Sequence, residues 1–289
     1  MFNRILFPTD GSEGADAAFG HVLDVAADTG ATVHILNVAD TTHDSVTRIG
    51  GDVIDVLERQ GETFVAAAAE RAADRGVETE TAVEQGGVAE TIIAYATDRD
   101  ADLIAMPTRG RTGLDRLLLG STTERVVRRS PVPVLSIGPD DVPANYPYRN
   151  ILAPTDGSDS ADAAFDRALE IARHDGATVH ALAVVDVGII GADGYAGVDA
   201  LVSGAEQTVA DAAATAEAAG VEAVEAVEVG AAAAHGIYSY VADHDVDLVV
   251  MGTRGRTGME RYLLGSVAEH TVRTAPVPVL TVPDAGDEA

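Results

Sequence analysis

Two loops of this chain bring glycine, arginine and serine into a spacing suited to holding an anion. Residues 250–266 read VMGTRGRTGMERYLLGS, so Gly252, Gly255, Gly265 and Ser266 follow the order G-x2-G-x9-G-S. Glycine lets backbone approach a ligand with no Cβ between them, and it tolerates positive φ. Arg254 and Arg256 bring charge that suits phosphate oxygens. Ser266 opens a helical pattern, whose free N–H groups and dipole would face whatever sits before it. The same residues have a plainer use. They can form a tight turn ahead of a well-capped helix, since Ser266 and Glu269, like Ser121 and Glu124, have capping-box spacing. Loop, helix start and arginines together favour the phosphate reading, because no other cations gather in so acidic a segment.

Two further pairs of segments bear on the same chemistry. PTDGS occurs at 8–12 and again at 154–158. Asp10 and Asp156 follow a strand and precede a helix, so each suits a cap or a hydrogen bond to a ligand hydroxyl or amide. Val38 and Val184 end strands, where backbone amide and carbonyl become open. His34 and His180 occupy equivalent strand positions and are expected to pack. There is no HExxH, no metal-spaced carboxylate–histidine cluster and no G-x-S-x-G elbow, so no catalytic or metal-ligating residue is assigned. Absence of cysteine removes disulfides and thiolate catalysis, and absence of lysine removes a Walker-type or Schiff-base lysine.

The elements that must position these loops come twice. ILFPTDGSEGADAAF (5–19) returns as ILAPTDGSDSADAAF (151–165), GATVHILNVAD (30–40) as GATVHALAVVD (176–186), and SPVPVLSI (130–137) as APVPVLTV (275–282). The repeat length is that of a whole domain. We expect one domain over 1–138, a linker over 139–148 rich in turn formers, a second domain over 149–283 and an acidic tail over 284–289. In the second repeat, NILAPT reads as a strand and the segment near Ser158 to Asp175 has helical spacing, closed by Gly176. TVHALAVV is a buried strand, Asp199 to Ala219 a helix, VEAVEAVEV an alternating strand, and a helix follows to about His244. VDLVVMG, Ser266–Arg273 and VPVLTV complete it as strand, helix and strand. Strands separated by helices imply parallel pairing with right-handed crossovers. The predicted fold class is therefore α/β, with two repeated, open, five-stranded parallel sheets of Rossmann-like type. Ligands of such sheets sit beyond the strands' carboxyl ends, where strand order reverses.

Composition narrows the function classes. The apolar fraction of 46% can furnish a core, and no run of apolar residues is long enough to span a bilayer. The start, MFNRILFPTDGS, reaches turn residues too early for a signal peptide, so no membrane association and a cytoplasmic location are expected. Forty-seven acidic and nineteen basic residues, all of the latter arginine, give a net charge of −28. That charge repels nucleic-acid polymers. Spread among apolar positions, it suits a surface solvated in high salt.

With these residues in view, the chain resembles the universal stress protein family. The likeness rests on the two PTDGS strand ends, the VMGTRGRTG…LLGS loop and the closing PVPVL strand, and it runs through nearly the whole chain twice, as in tandem two-domain members. The resemblance implies ATP as ligand, with Mg or Mn beside it. It places Pro154, Thr155 and Asp156 along the ribose and adenine side, with Val184 bonding adenine through its backbone. Gly252 and Gly255 would line the ribose and phosphates, beside Arg254. Gly265, Ser266, Val267 and Ala268 would hold the phosphates. In the first repeat the matching positions are Pro8, Thr9, Asp10, Val38, Gly110, Gly120, Ser121, Thr122 and Thr123.

That first repeat departs from the pattern at Pro107, which stands where the second has Gly252. Proline removes an N–H donor and fills space. Losing one charge-assisted bond costs about 1.5–3 kcal/mol, roughly ten- to a hundredfold in affinity. A weaker or empty first site is therefore expected. The functional expectation is an adenine-nucleotide-binding sensor or regulator of a stress response. A slow ATP hydrolase or phosphotransferase and a ligand-free scaffold are the alternatives. The resemblance also implies that Val132–Ile137 lies antiparallel to Val277–Val282 as an internal pseudo-dimer, with further homo-oligomerisation open.

Overall fold

In the computed structural model the described residues are 1–41, 51–108, 119–138, 145–187, 197–255 and 264–283, with 51–55 as helical backbone alone. The expected acidic tail, residues 139–144 of the expected linker, Gly110 and Arg256 lie outside them. The chain divides into two compact units, Phe2–Pro143 and Ala144–Ala289.

The first unit runs β1 (Arg4–Pro8), α1 (Glu13–Thr29), β2 (Thr32–Asp40), α2 (Gly51–Ala73), β3 (Thr79–Gly86), α3 (Val88–Asp98), β4 (Leu103–Pro107), α4 (Ser121–Arg129) and β5 (Val134–Ile137). Its strands lie in the order β3-β2-β1-β4-β5, and every pairing is parallel. The second unit repeats this as β6 (Asn150–Pro154), α5 (Asp159–Asp175), β7 (Thr178–Asp186), α6 (Val198–Ala218), β8 (Ala223–Gly230), α7 (Ala233–Asp243), β9 (Leu248–Gly252), α8 (Ser266–Thr274) and β10 (Val279–Val282). The order is again β8-β7-β6-β9-β10, all parallel.

Local chemistry explains these boundaries. Ser12 and Ser158 cap α1 and α5, accepting from the N–H groups of Ala15 and Ala161. Gly30 and Gly176 close the same helices in the left-handed region, at φ 72° and 69°. Central strands are short apolar runs buried along their length, as strands covered on both faces must be. The outer strands β3 and β8 alternate with glutamate and are partly exposed. His34 and His180 are buried in β2 and β7 and share hydrogen bonds with Tyr95 (3.4 Å) and Tyr240 (2.9 Å).

The sheet opens where its strand order reverses. β6 pairs with β7 from Asn150 to Pro154, but with β9 only at Ile151↔Leu248 and Leu152↔Val249. Beyond Val249 the two strands part, so Ala153–Pro154 and Val250–Gly252 flank a cleft. In the first unit β1 and β4 pair only at Ile5↔Leu103 and Leu6↔Ile104. A parallel sheet leaves such a crevice at its switch point.

Candidate functional site

A cavity of about 470 Å³ occupies the second unit's cleft, within the size range of small-molecule pockets. Pro154, Thr155, Asp156, Val184, Gly252, Arg254, Gly255, Gly265, Ser266, Val267 and Ala268 all line it. The structure thus brings together the eleven residues that the sequence suggests for this unit. What each contributes follows from its element.

The PTDGS turn is built by side chain–backbone bonds. The Thr155 N–H donates to the Leu182 carbonyl (2.8 Å), tying the end of β6 to β7. Thr155 Oγ1 accepts from the Gly157 N–H (3.1 Å), and Asp156 Oδ1 from the Ser158 N–H (3.1 Å). Gly157 takes φ 71°, as the turn requires. Ser158, not Asp156, is therefore the helix cap. One oxygen of Asp156 holds the turn, and the other faces the glycine loop. A Cβ on Gly255 would stand 2.8 Å from Asp156 Oδ2, so glycine there is what lets the loop close on the carboxylate.

The glycine loop is pinned at both ends. The Thr253 N–H donates to the Val282 carbonyl (3.2 Å), and the Gly265 N–H to the Thr253 carbonyl (2.8 Å). A Cβ on Gly265 would lie 3.2 Å from that same carbonyl. Gly265 is the N-cap of α8, with φ −60° and ψ 141° and no side chain to offer. This corrects the capping-box expectation. Ser266 is the first helical residue rather than the cap, and Glu269 pairs with Arg273 (2.6 Å) instead of reaching back. The first N–H groups of a helix have no intrahelical acceptor. Those of Ser266, Val267 and Ala268 belong to residues lining the cavity, beside Arg254.

The remaining wall is apolar: Ala161, Leu182, Ala233, Ile237, Met251 and Leu264, with Thr253. Sequence reasoning missed these seven. Alternation gives a signal for some of them, since Leu182 shares a strand face with Val184, and Ala233 and Ile237 lie one turn apart on α7. That α7 faces this cleft is not a local property. The site is thus two-ended, an apolar slot leading to a cluster of backbone donors with a cation. Acidity collects around the first turn of α5. There burial, then the carboxylates of Asp159, Asp166 and Asp156, hold the Asp162 carboxyl above its ordinary value.

The first unit keeps the same frame with different fillings. The Thr9 N–H donates to Leu36 (2.8 Å), Asp10 Oδ1 accepts from Ser12 (3.0 Å), Thr108 donates to Ile137 (2.9 Å) and Gly120 to Thr108 (2.8 Å). Pro8 ends β1 and Val38 lies near the end of β2. Gly120 is the N-cap of α4, and Ser121, Thr122 and Thr123 form its first turn. The Thr123 hydroxyl, however, donates to the Pro107 carbonyl (2.9 Å) and is buried there. The Phe64 ring lies against Gly11, and Asn37 Nδ2 donates to the Thr9 carbonyl (2.7 Å).

Comparison with known proteins agrees with the repeat. The model of the universal stress protein family matches residues 1–137 and 147–283. The universal stress protein MJ0531 of Methanocaldococcus jannaschii is 32% identical over 140 residues, covering 47% of this chain and 82% of its own. YxiE of Bacillus subtilis is 31% identical over 147 residues, covering 47% and 99%. A universal stress protein crystal structure from Archaeoglobus fulgidus aligns over 99% of this chain and 100% of its own, at 24% identity and TM-score 0.78.

Proposed function

Because the chain belongs to the universal stress protein family, we propose that it is a regulator which binds an adenine nucleotide, ATP in the first instance, in the second unit's cavity. The observation that carries this is the start of α8. Its glycine cap leaves the first N–H groups to an incoming anion, next to Arg254 and at the end of an apolar slot.

The base would lie between Leu182, Val184, Ile237 and Met251, with the backbone of Val184 as its polar partner. Asp156 would meet the ribose, and Gly265 through Ala268 the phosphates. Among the described lining residues Asp156 is the one carboxylate. An accompanying Mg or Mn would therefore draw its ligands chiefly from phosphate and water, as Mg commonly does. With Asp156 Oδ1 held by the Ser158 N–H, the described lining residues supply no second carboxylate or imidazole, and we read the site as binding without turnover.

Calorimetric titration of the full chain with ATP, ADP and AMP, each with and without Mg, tests the proposal. The expected result is saturable binding that Gly265→Val weakens by at least about tenfold, since its side chain would fill the donor cradle. No saturation by ATP at millimolar concentration, with the protein folded, removes it.

A further inference from the structure

The position that differs between the two loops, Pro107 and Gly252, touches protein before it touches ligand. A Cβ on Gly252 would lie 2.7 Å from the Ser160 carbonyl oxygen, and closer still to Ser160 Oγ. Ser160 sits in the first turn of α5, only 6% exposed, and its Oγ has no hydrogen-bond partner among the described residues. Packing, not polar pairing, holds that hydroxyl against Gly252. By the register of the repeat, the counterpart of Ser160 in the first unit is Gly14. Where the strand end is bulky the helix start is bare, and where the strand end is bare the helix start carries a side chain.

The proline costs the sheet nothing. The N–H of Val249 in β9 donates to the carbonyl of Pro278, just before β10, and that of Thr253, just past β9, to Val282 in β10. Alternation turns the Gly252 N–H to the opposite side, past the last β6–β9 pair. In β4, Ile104 and Thr108 donate to β5 in the same way, so position 107 has no ladder donor to lose. The ring of Pro107 is buried, and its carbonyl accepts from Thr123, whose counterpart in the second unit is Ala268.

We propose that Ser160 is a positioning residue of the second cavity. With Gly252 it sets the spacing between the end of β9 and the start of α5, and Gly14 with Pro107 performs the same task in the first unit. Proline at the loop's first position is then a packing choice matched to its helix, and it leaves a nucleotide site competent. That last consequence rests on the nucleotide reading above, whereas the pairing itself does not.

The test is a double-mutant cycle in the full chain, following thermal unfolding and ATP titration for Gly252→Pro, Ser160→Gly and the two together. Gly252→Pro is expected to lower the melting temperature of the second unit by at least about 5 °C, and Ser160→Gly by less. The double variant should recover the part of that loss that belongs to Ser160 Oγ, while the backbone of residue 160 keeps its share, and it should bind ATP within about threefold of the original chain. Effects that simply add in the double variant overturn the pairing. A stable double variant that has lost ATP binding roughly tenfold or more assigns the proline's effect to the ligand and overturns the consequence. Should Gly252→Pro not fold, the mirror change decides: Gly14→Ser must destabilise the first unit and Pro107→Gly must rescue it. If the original chain binds no ATP, the nucleotide reading fails while the melting cycle still decides the pair.

Discussion

Gly255 and His21 show how single residues carry separable consequences. A Cβ on Gly255 would stand 2.8 Å from Asp156 Oδ2, an atom at the far end of a side chain that can turn aside more cheaply than backbone. Gly255→Ala should therefore cost little stability while displacing the carboxylate from the cavity. The expected result is a loss of about 1–2 kcal/mol in nucleotide binding with a nearly unchanged melting temperature, read by calorimetry and thermal unfolding on one sample. His21 bears on stability alone. It is 3% exposed in α1, and burial, opposed in part by Asp24, lowers its pKa from 6.5 to about 4. The folded state thus binds this proton less readily than the unfolded chain. The stabilisation is complete above pH 6.5 and is lost as pH falls from there towards 4, to a total of about 3 kcal/mol. Urea unfolding at intervals across that range should show the slope, and His21→Leu should reduce it. An unchanged slope in that variant would remove the assignment.

At the scale of elements, one aspartate per unit anchors the amino ends of the strands opposite the cleft. Asp247 accepts from the N–H groups of Arg149 (2.8 Å) and Asn150 (3.0 Å) and from Asn145 Nδ2 (3.0 Å), and it is buried. Asp102 does the same for Asn3 (2.8 Å) and Arg4 (3.3 Å), in a more exposed setting. Asp247→Ala leaves those strand-start donors without an acceptor and should destabilise the protein by about 2–4 kcal/mol in denaturant titration, with Asp102→Ala costing less. These contacts also show what could be read from the chain. Strand and helix positions follow from periodicity and from caps such as Ser158 and Gly176, which are local properties. Ser266 and Glu269 have the spacing of a capping box, but Ser266 opens α8 and Gly265 is its cap. Tertiary structure instead commits the Thr253 carbonyl to the Gly265 N–H, which moves the cap back by one residue.

At the scale of the whole molecule the dominant quantity is charge. A net −28 in a chain of 289 residues makes self-repulsion a standing cost of the compact state. Raising KCl from about 0.1 M to about 1 M shortens the Debye length from ~10 Å to ~3 Å, and the melting temperature should rise across that interval. A flat or falling curve would count against a surface adapted to high salt. No helix among the described residues is long and apolar enough to cross a membrane.

The amino-acid sequence by itself determined that this chain is one α/β unit written twice, and that strand ends and a glycine loop converge on a switch-point cleft. Periodicity, capping residues and the repeat are properties of neighbours along the chain, and the switch-point rule does the rest. Only tertiary structure decided what stands behind those residues. It supplied the apolar wall of Leu182, Ile237 and Met251, gave the helix start a glycine cap with no side chain to cover its donors, and set Ser160 against Gly252. These depend on which element packs on which, a matter of burial between segments far apart in sequence. The glycine that spacing alone assigns to the ligand is, in the fold, first a contact between a strand and a helix.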